Sequence, residues 1–170
     1  NNTVSPTSNK LTQTQDVGAT TPIQYDGMGN VTNDGVNTYT YSDRGRLSSV
    51  TTGGGVVNYR YNGFEQRAYK TGPTALIPTG VAYYVYDESG KLLGEYAADG
   101  SPIYETVYLG SSPVNVLKQT GTAAQSNIAT SIYNVYSDHL ATPRVITRAT
   151  DEAIVWRWDV AEAFGATAPD

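Results

Sequence analysis

The sequence predicts an all-β fold assembled from tandem β-hairpins, and three observations carry that prediction. A tyrosine-led turn motif recurs along the chain, for example at Tyr25-Asp26-Gly27-Met28-Gly29 and again at Tyr86-Asp87-Glu88-Ser89-Gly90. The residues before each of these tyrosines alternate in the two-residue period of a strand, as in Tyr39-Thr40-Tyr41 and Tyr59-Arg60-Tyr61. The composition agrees: 14 Tyr stand against 2 Phe and 2 Trp, and only 16% of residues are charged, with Gly, Thr and Ser filling the difference. Tyrosine has an apolar body and a polar tip, which suits half-wet positions on a sheet.

The motif has a mechanism. Asp or Asn after the tyrosine accepts hydrogen bonds from its own backbone and starts the turn. Glycine then supplies the positive-φ residue that closes a hairpin loop of a few residues. A polar or cationic residue precedes Val or Leu as the return strand begins. The first copy runs from Tyr25 and Asp26 through Gly29 to Val31, and the second from Tyr41 through Gly45 to Leu47. The third starts at Tyr61-Asn62-Gly63 and reaches Arg67-Ala68 without a glycine at the usual place. The fullest copy starts at Tyr86 and Asp87 and passes Gly90 to Leu92.

Later hairpins carry other turns. Ile103 to Leu109 is a long alternating strand, turned by Gly110-Ser111-Ser112-Pro113 into Val114 to Leu117. Ile132 to Tyr136 leads through Ser137-Asp138-His139-Leu140-Ala141-Thr142-Pro143 into Arg144 to Thr147. In the last strand, alternation puts Ile154, Trp156 and Trp158 on one face, expected to be packed. Three stretches read as loops: the polar start up to about Thr20, Thr71 to Gly80, and the polar loop 118–131. The organisation expected is a polar segment 1–20, hairpin repeats 21–117, that loop, and a distinct closing segment 132–170. No helix is predicted.

Charge and composition exclude several classes of function. A net charge of −5 with scattered Lys and Arg gives no footprint for nucleic acid or an anionic membrane. The longest apolar runs, such as Val81 to Val85, are strand-sized and too short for a membrane-spanning helix. The absence of cysteine removes disulfides and thiolate chemistry. With no opening Met at Asn1, the chain reads as a segment of something longer, whose cut sheet edges would favour self-association.

Three ordered motifs narrow the reading. The Tyr-Asp-x-x-Gly copies resemble the YD repeats of the RHS (rearrangement hot spot) and teneurin superfamily. Tyr104 to Gly110, including Tyr108, with Pro113-Val114 is similar to the YLG-x-x-P-V strand of that family's associated core. Asp138, His139, Pro143 and Arg144 stand in a segment that resembles its T-D-H-L-G-T-P-R stretch. Val155-Trp156-Arg157-Trp158 followed by Phe164-Gly165 is similar to its V-W-R…P-F-G ending. The resemblance spans about Ser8 to Asp170. It departs at Ala141, where the family has Gly, and at Val160 to Ala163, where it has a proline-containing approach.

The resemblance implies that the hairpins form part of a spiralling antiparallel sheet, the wall of a hollow cocoon. It implies as partners the rest of the shell and a C-terminal toxin domain of the same polypeptide, together with bacterial secretion machinery. The location implied is secreted or cell-surface. The strands at Tyr84, Tyr86, Tyr104, Tyr108, Trp156 and Trp158 are those expected to hold the wall. In the family an aspartate in a D-P-x-G motif cuts the toxin free; Asp159 and Asp170 lie in no such motif, so no catalysis is assigned.

Two places invite a sharper chemistry. His139, the only histidine, follows Asp138 directly, and adjacent strand residues face opposite ways, so the two cannot form a triad. The turn aspartates offer one or two carboxylates each, short of the six to eight oxygens that calcium takes. Neither a metal nor a cofactor is expected. The serious rival to the shell is a saccharide-binding or cell-surface adhesion module, with glycans stacked on the tyrosine-rich sheet.

Overall fold

The computed structural model describes residues 2–16, 19–120, 129–158 and 168–170. Its described residues form β-strands joined by turns, without a helix. Two compact units divide the chain, Asn1–Ala82 and Tyr83–Asp170.

In the first unit, β1 (Thr3–Val4), β2 (Leu11–Asp16) and β3 (Ala19–Pro22) make a three-stranded antiparallel sheet. The polar start therefore holds strands where a loop was expected. Its threonines and glutamines alternate well enough to pair Gln13 with Pro22 and Gln15 with Thr20, although few of them are apolar. A meander follows: β4 (Gln24–Tyr25), β5 (Val31–Asn33), β6 (Thr38–Tyr41), β7 (Leu47–Thr52), β8 (Gly55–Tyr61) and β9 (Arg67–Thr71). Each of these pairs with the next in antiparallel register.

Residues 72–80, read as a loop, do form one, and it packs on the β7–β8 turn. A Cβ built on Gly55 would lie 2.7 Å from Pro73, and one on Gly54 would lie 3.0 Å from Leu76. The close approach explains Gly54 and Gly55, and Gly55 also sits at φ 122, a conformation that favours glycine; nothing in the structure requires glycine at Gly53. Ile77 of this loop is buried, as is Val57 on β8, and a Cβ built on Gly72 would lie 3.3 and 3.2 Å from their side chains.

The second unit is built on β10 (Val81–Tyr86), which straddles the division between the units, and continues with β11 (Leu92–Tyr96), β12 (Pro102–Leu109) and β13 (Ser112–Thr120). It ends with β14 (Ala129–Ser137), β15 (Pro143–Arg148) and β16 (Ile154–Arg157), each strand again pairing with its successor. The polar loop 118–131 is shorter than expected at both ends, because β13 and β14 extend into it; the residues between them lie outside those described. Val160 to Ala163 and Phe164-Gly165 also fall outside the described residues.

In the last strand a bulge breaks the alternation. Trp156 pairs with Ile146, but Ile154 pairs with Thr147, with a register shift between. Since Ile146 and Thr147 face opposite ways, Ile154 and Trp156 do too, and Ile154 is exposed. The bulge overrides the two-residue period that placed them together. Trp156 and Trp158 are both half-buried.

Burial is shallow throughout. Among the described residues only Val57, Ile77, Ala82, Tyr84 and Val135 are buried apolar side chains, and no large side chain is wholly enclosed. Long-range hairpin ladders, not a thick core, hold the strands together.

Candidate functional site

One loop geometry recurs six times among the described residues. Its entry residue faces a return-strand residue six positions on: Tyr25 with Val31, Tyr41 with Leu47, Tyr61 with Arg67, Tyr86 with Leu92, Tyr96 with Pro102 and Ser137 with Pro143. Each pairing carries a register shift beside it, so the entry residue marks a bulge.

The bonding inside the loop repeats as well. At Asp26 the backbone N–H bonds the Asn30 carbonyl, and the Asp26 carbonyl accepts from Gly29. The carboxylate Oδ1 accepts from the Met28 and Asn30 amides, both at 2.9 Å. Asp87 accepts from Ser89 and Lys91 in the same manner, Asp138 from Leu140 and Thr142, and the Asn62 amide oxygen from Phe64 and Gln66. Ser42 keeps the pattern with its hydroxyl accepting from Arg46, and Ala97 keeps it with backbone bonds alone.

The residue three places after the loop's start is left-handed in every copy. Gly29, Gly45, Gly90 and Gly100 take φ values of 91, 72, 88 and 82 there, while Glu65 and Ala141 take 63 and 60. The glycine missing from the third copy is thus replaced by Glu65, and Ala141 holds the same place in the Asp138 loop, both in a conformation costly for a residue with a Cβ. Sequence reading missed the Tyr96–Gly100 copy, because its turn begins with alanine; the Asp99-Gly100 pair was the signal available.

Tyrosine hydroxyls tie successive hairpins together. Tyr25 donates to the Leu11 carbonyl at 2.8 Å, Tyr41 to Val31 at 2.8 Å, Tyr61 to Leu47 at 3.0 Å and Tyr108 to Leu92 at 3.1 Å. In each case the acceptor is the first residue of an earlier return strand. The cation before that acceptor can cover the same ring: Lys10 lies 5.1 Å from the Tyr25 centroid and Lys91 5.8 Å from that of Tyr108. This gives the Lys91-Leu92 ending a role that turn chemistry alone left unexplained, whereas Arg46 at the same place in the second copy pairs with Glu65 instead.

The closing segment concentrates several residues singled out in the sequence. Asp138 caps its loop with Oδ1 and receives Arg144 on Oδ2, with nitrogen–oxygen distances of 3.0 and 2.9 Å. The Arg144 guanidinium lies 5.2 Å from the Trp158 ring centroid, and the Trp158 amide donates to the Arg144 carbonyl at 2.8 Å. Backbone donation by Thr142 and Leu140, together with Arg144, holds the Asp138 carboxyl below its ordinary range. His139 stands exposed on the same loop, outside this cluster. Pro143 opens β15, where its missing N–H costs nothing to the turn, and Gly110 turns β12 into β13 at φ 61.

Two recesses mark the sheet faces. In the second unit a hollow of about 350 Å³ is lined by Tyr104, Thr106, Tyr108, Val116, Val135 and Ile146 among others. In the first unit an open groove of about 460 Å³ runs over Thr40, Ser49, Asn58, Arg60, Tyr69 and Thr71. No three carboxylate or imidazole groups converge among the described residues.

Fold and turns together define an all-β protein of antiparallel hairpin sheets with one recurrent loop. The chain matches no family model and no curated protein with which it was compared.

Proposed function

We propose that the chain is a wall segment of a bacterial RHS-type shell, part of a larger exported polypeptide that encloses its own C-terminal toxin domain. The observation that supports this reading most is the set of hydroxyl-to-carbonyl ties from Tyr25, Tyr41, Tyr61 and Tyr108. Each tie joins one hairpin to an earlier one, so a sheet can lengthen hairpin by hairpin without needing a deep core. Stacked units that bury their surface only against neighbours are built in this way. Shallow burial fits a wall better than a stand-alone binding domain.

The reading gives the chain containment as its role and no catalysis of its own. It is less favourable to saccharide stacking on the repeat tyrosines, because four of their hydroxyls are spent on main-chain carbonyls and their rings are half-buried.

The test is protease protection of the cargo in the full polypeptide. Cargo that follows the wall should resist digestion when the wall is intact, and become sensitive when Tyr61 and Tyr108 are both changed to Phe. Digestion of the cargo at equal rates in the two proteins would refute the wall.

A further inference from the structure

Gly63 follows the entry residue of the third loop in a place where the fold asks for no glycine. Its φ is not left-handed, and a Cβ built on it would meet nothing within 4 Å. Other copies of the loop carry Asp43, Glu88, Ala98 and His139 at this place. Asn62-Gly63 is also the one Asn-Gly pair in the chain. Without a Cβ in the way, a glycine nitrogen reaches the side-chain carbonyl carbon of a preceding asparagine more readily than that of any other residue.

The loop holds that side chain ready for such an attack. Asn62 and Gly63 are both exposed. Asn62 Oδ1 accepts from the Phe64 amide at 2.9 Å and the Gln66 amide at 3.0 Å, which folds its carbonyl over the main chain that follows. Donors on that oxygen stabilise the negative charge it gains when its carbon is attacked. The Gly63 N–H, the attacking group, donates to nothing among the described residues.

An acid at this place suits its surroundings better than the amide does. Asp26, Asp87 and Asp138 hold the equivalent position, and their second oxygens face the Asn30 amide, Lys91 and Arg144. Asn62 lines a hollow of about 290 Å³ with Arg44, Arg46 and Arg60, and Glu65 is the one carboxylate on its wall. A carboxylate at 62 sets two acids against three guanidiniums.

We propose that Asn62 is a site of spontaneous deamidation, closing a succinimide with Gly63 and converting the cap of the third loop into the aspartate of its sister loops. The Gly63 nitrogen bonds to the Asn62 side-chain carbon and gives its proton to water. The side-chain carbon–nitrogen bond breaks, and that nitrogen leaves as ammonia. Water then opens the ring, so one water is consumed for each ammonia released. Opening at the other carbonyl gives isoaspartate, whose extra main-chain carbon disrupts the bonds from Asn62 N–H to the Gln66 carbonyl and from Glu65 N–H to the Asn62 carbonyl. The folded loop therefore directs the opening to aspartate. Aspartates before glycine close the same ring only with a protonated carboxyl. Asn30 holds Asp26 low and Tyr39 holds Asp34 low, so neither competes at neutral pH.

The site is independent of the tyrosine ties and of the wall, so its failure would leave that reading standing. The test is prolonged incubation of the intact chain at neutral pH and physiological temperature, followed by peptide mapping and enzymatic assay of isoaspartate. The Asn62 peptide should gain the mass of an amide-to-acid change, mostly as aspartate, ahead of every other asparagine. In the chain unfolded with guanidinium chloride, isoaspartate should predominate. Gly63→Ala should slow conversion about tenfold or more, with a thermal midpoint no lower than the parent's. Asn62→Asp should raise the midpoint at low salt, and added salt should erase the gain. An unconverted Asn62, indifference to Gly63→Ala, the same product ratio folded and unfolded, or a lowered midpoint for Asn62→Asp would each overturn the proposal.

Discussion

Ala141 carries a backbone conformation that its side chain does not favour. Its φ of 60 is imposed by the Asp138 loop, whose other bonds match the glycine-containing copies. A left-handed residue with a Cβ costs about 1–2 kcal/mol, part of which glycine returns as entropy lost on folding. Ala141→Gly is expected to stabilise by about 0.5–1 kcal/mol, raising the thermal midpoint by about 2–4 °C in calorimetry. A lowered midpoint would contradict the strain. Glu65 stands in the same conformation, but it also bridges Arg44 and Arg46, so relief and loss oppose each other there.

Carboxylates on these turns also set the response to acid. Tyr39 donates to Asp34, whose carboxyl, helped by the Asn37 amide, is lowered to about 2. Asp26, Asp87 and Asp138 are lowered as well, by the Asn30 amide, the Ser89 hydroxyl and the Thr142 backbone respectively. A carboxyl held low in the fold adds stability above its ordinary titration range, and that stability is lost as pH falls through the folded value. Urea midpoints should therefore hold from neutral pH to about pH 5 and drop between about pH 4 and 2. Asp34→Asn should flatten part of that drop, and an unchanged acid limb would rule Asp34 out.

At the scale of the elements, the hairpins are locally coded and their joining is not. Each loop is closed by residues within five positions of one another, which is why the Tyr-Asp-x-x-Gly copies could be read directly. Their ties depend on which carbonyl the strand pairing delivers beside each tyrosine. Removing the hydroxyl alone isolates that tie: Tyr61→Phe and Tyr108→Phe are each expected to cost about 1 kcal/mol. Changes on separate hairpins should be nearly additive. Chemical denaturation can measure both, and a neutral double variant would show that the ties carry no stability. Bulges were the element-scale feature that pattern reading missed, and at Ile154 one moved a side chain to the opposite face.

At the scale of the whole molecule, one sheet face of the second unit exposes several apolar side chains. The pairings put Val85, Val107, Ile132 and Tyr136 on one side, and all four are exposed. Gly94, Glu105, Asn115 and Asn134 stand among them on that face, and exposed apolar side chains gathered on one sheet face favour association. Sedimentation equilibrium should show a mass that rises with concentration, and a Val107→Lys, Ile132→Lys double variant should reduce that rise. A monomer at every concentration would count against the exposed face as a contact surface.

The sequence by itself determined the β class, most of the turns and the residues that close them. These are short-range matters: an Asx side chain, a glycine and an alternating strand act within one hairpin, and their chemistry is visible in a line of letters. It also brought Asp138, Arg144 and Trp158 to notice, though not their contact. Tertiary structure alone decided that Glu65 and Ala141 take the glycine's place, that the polar start pairs as strands, and that tyrosine hydroxyls reach carbonyls from 10 to 16 residues earlier. It also aligned Thr40, Ser49, Asn58 and Thr71 into one row. Register is the reason: which residues face each other across strands is fixed by loop length and bulges acting together, and no single segment contains that information.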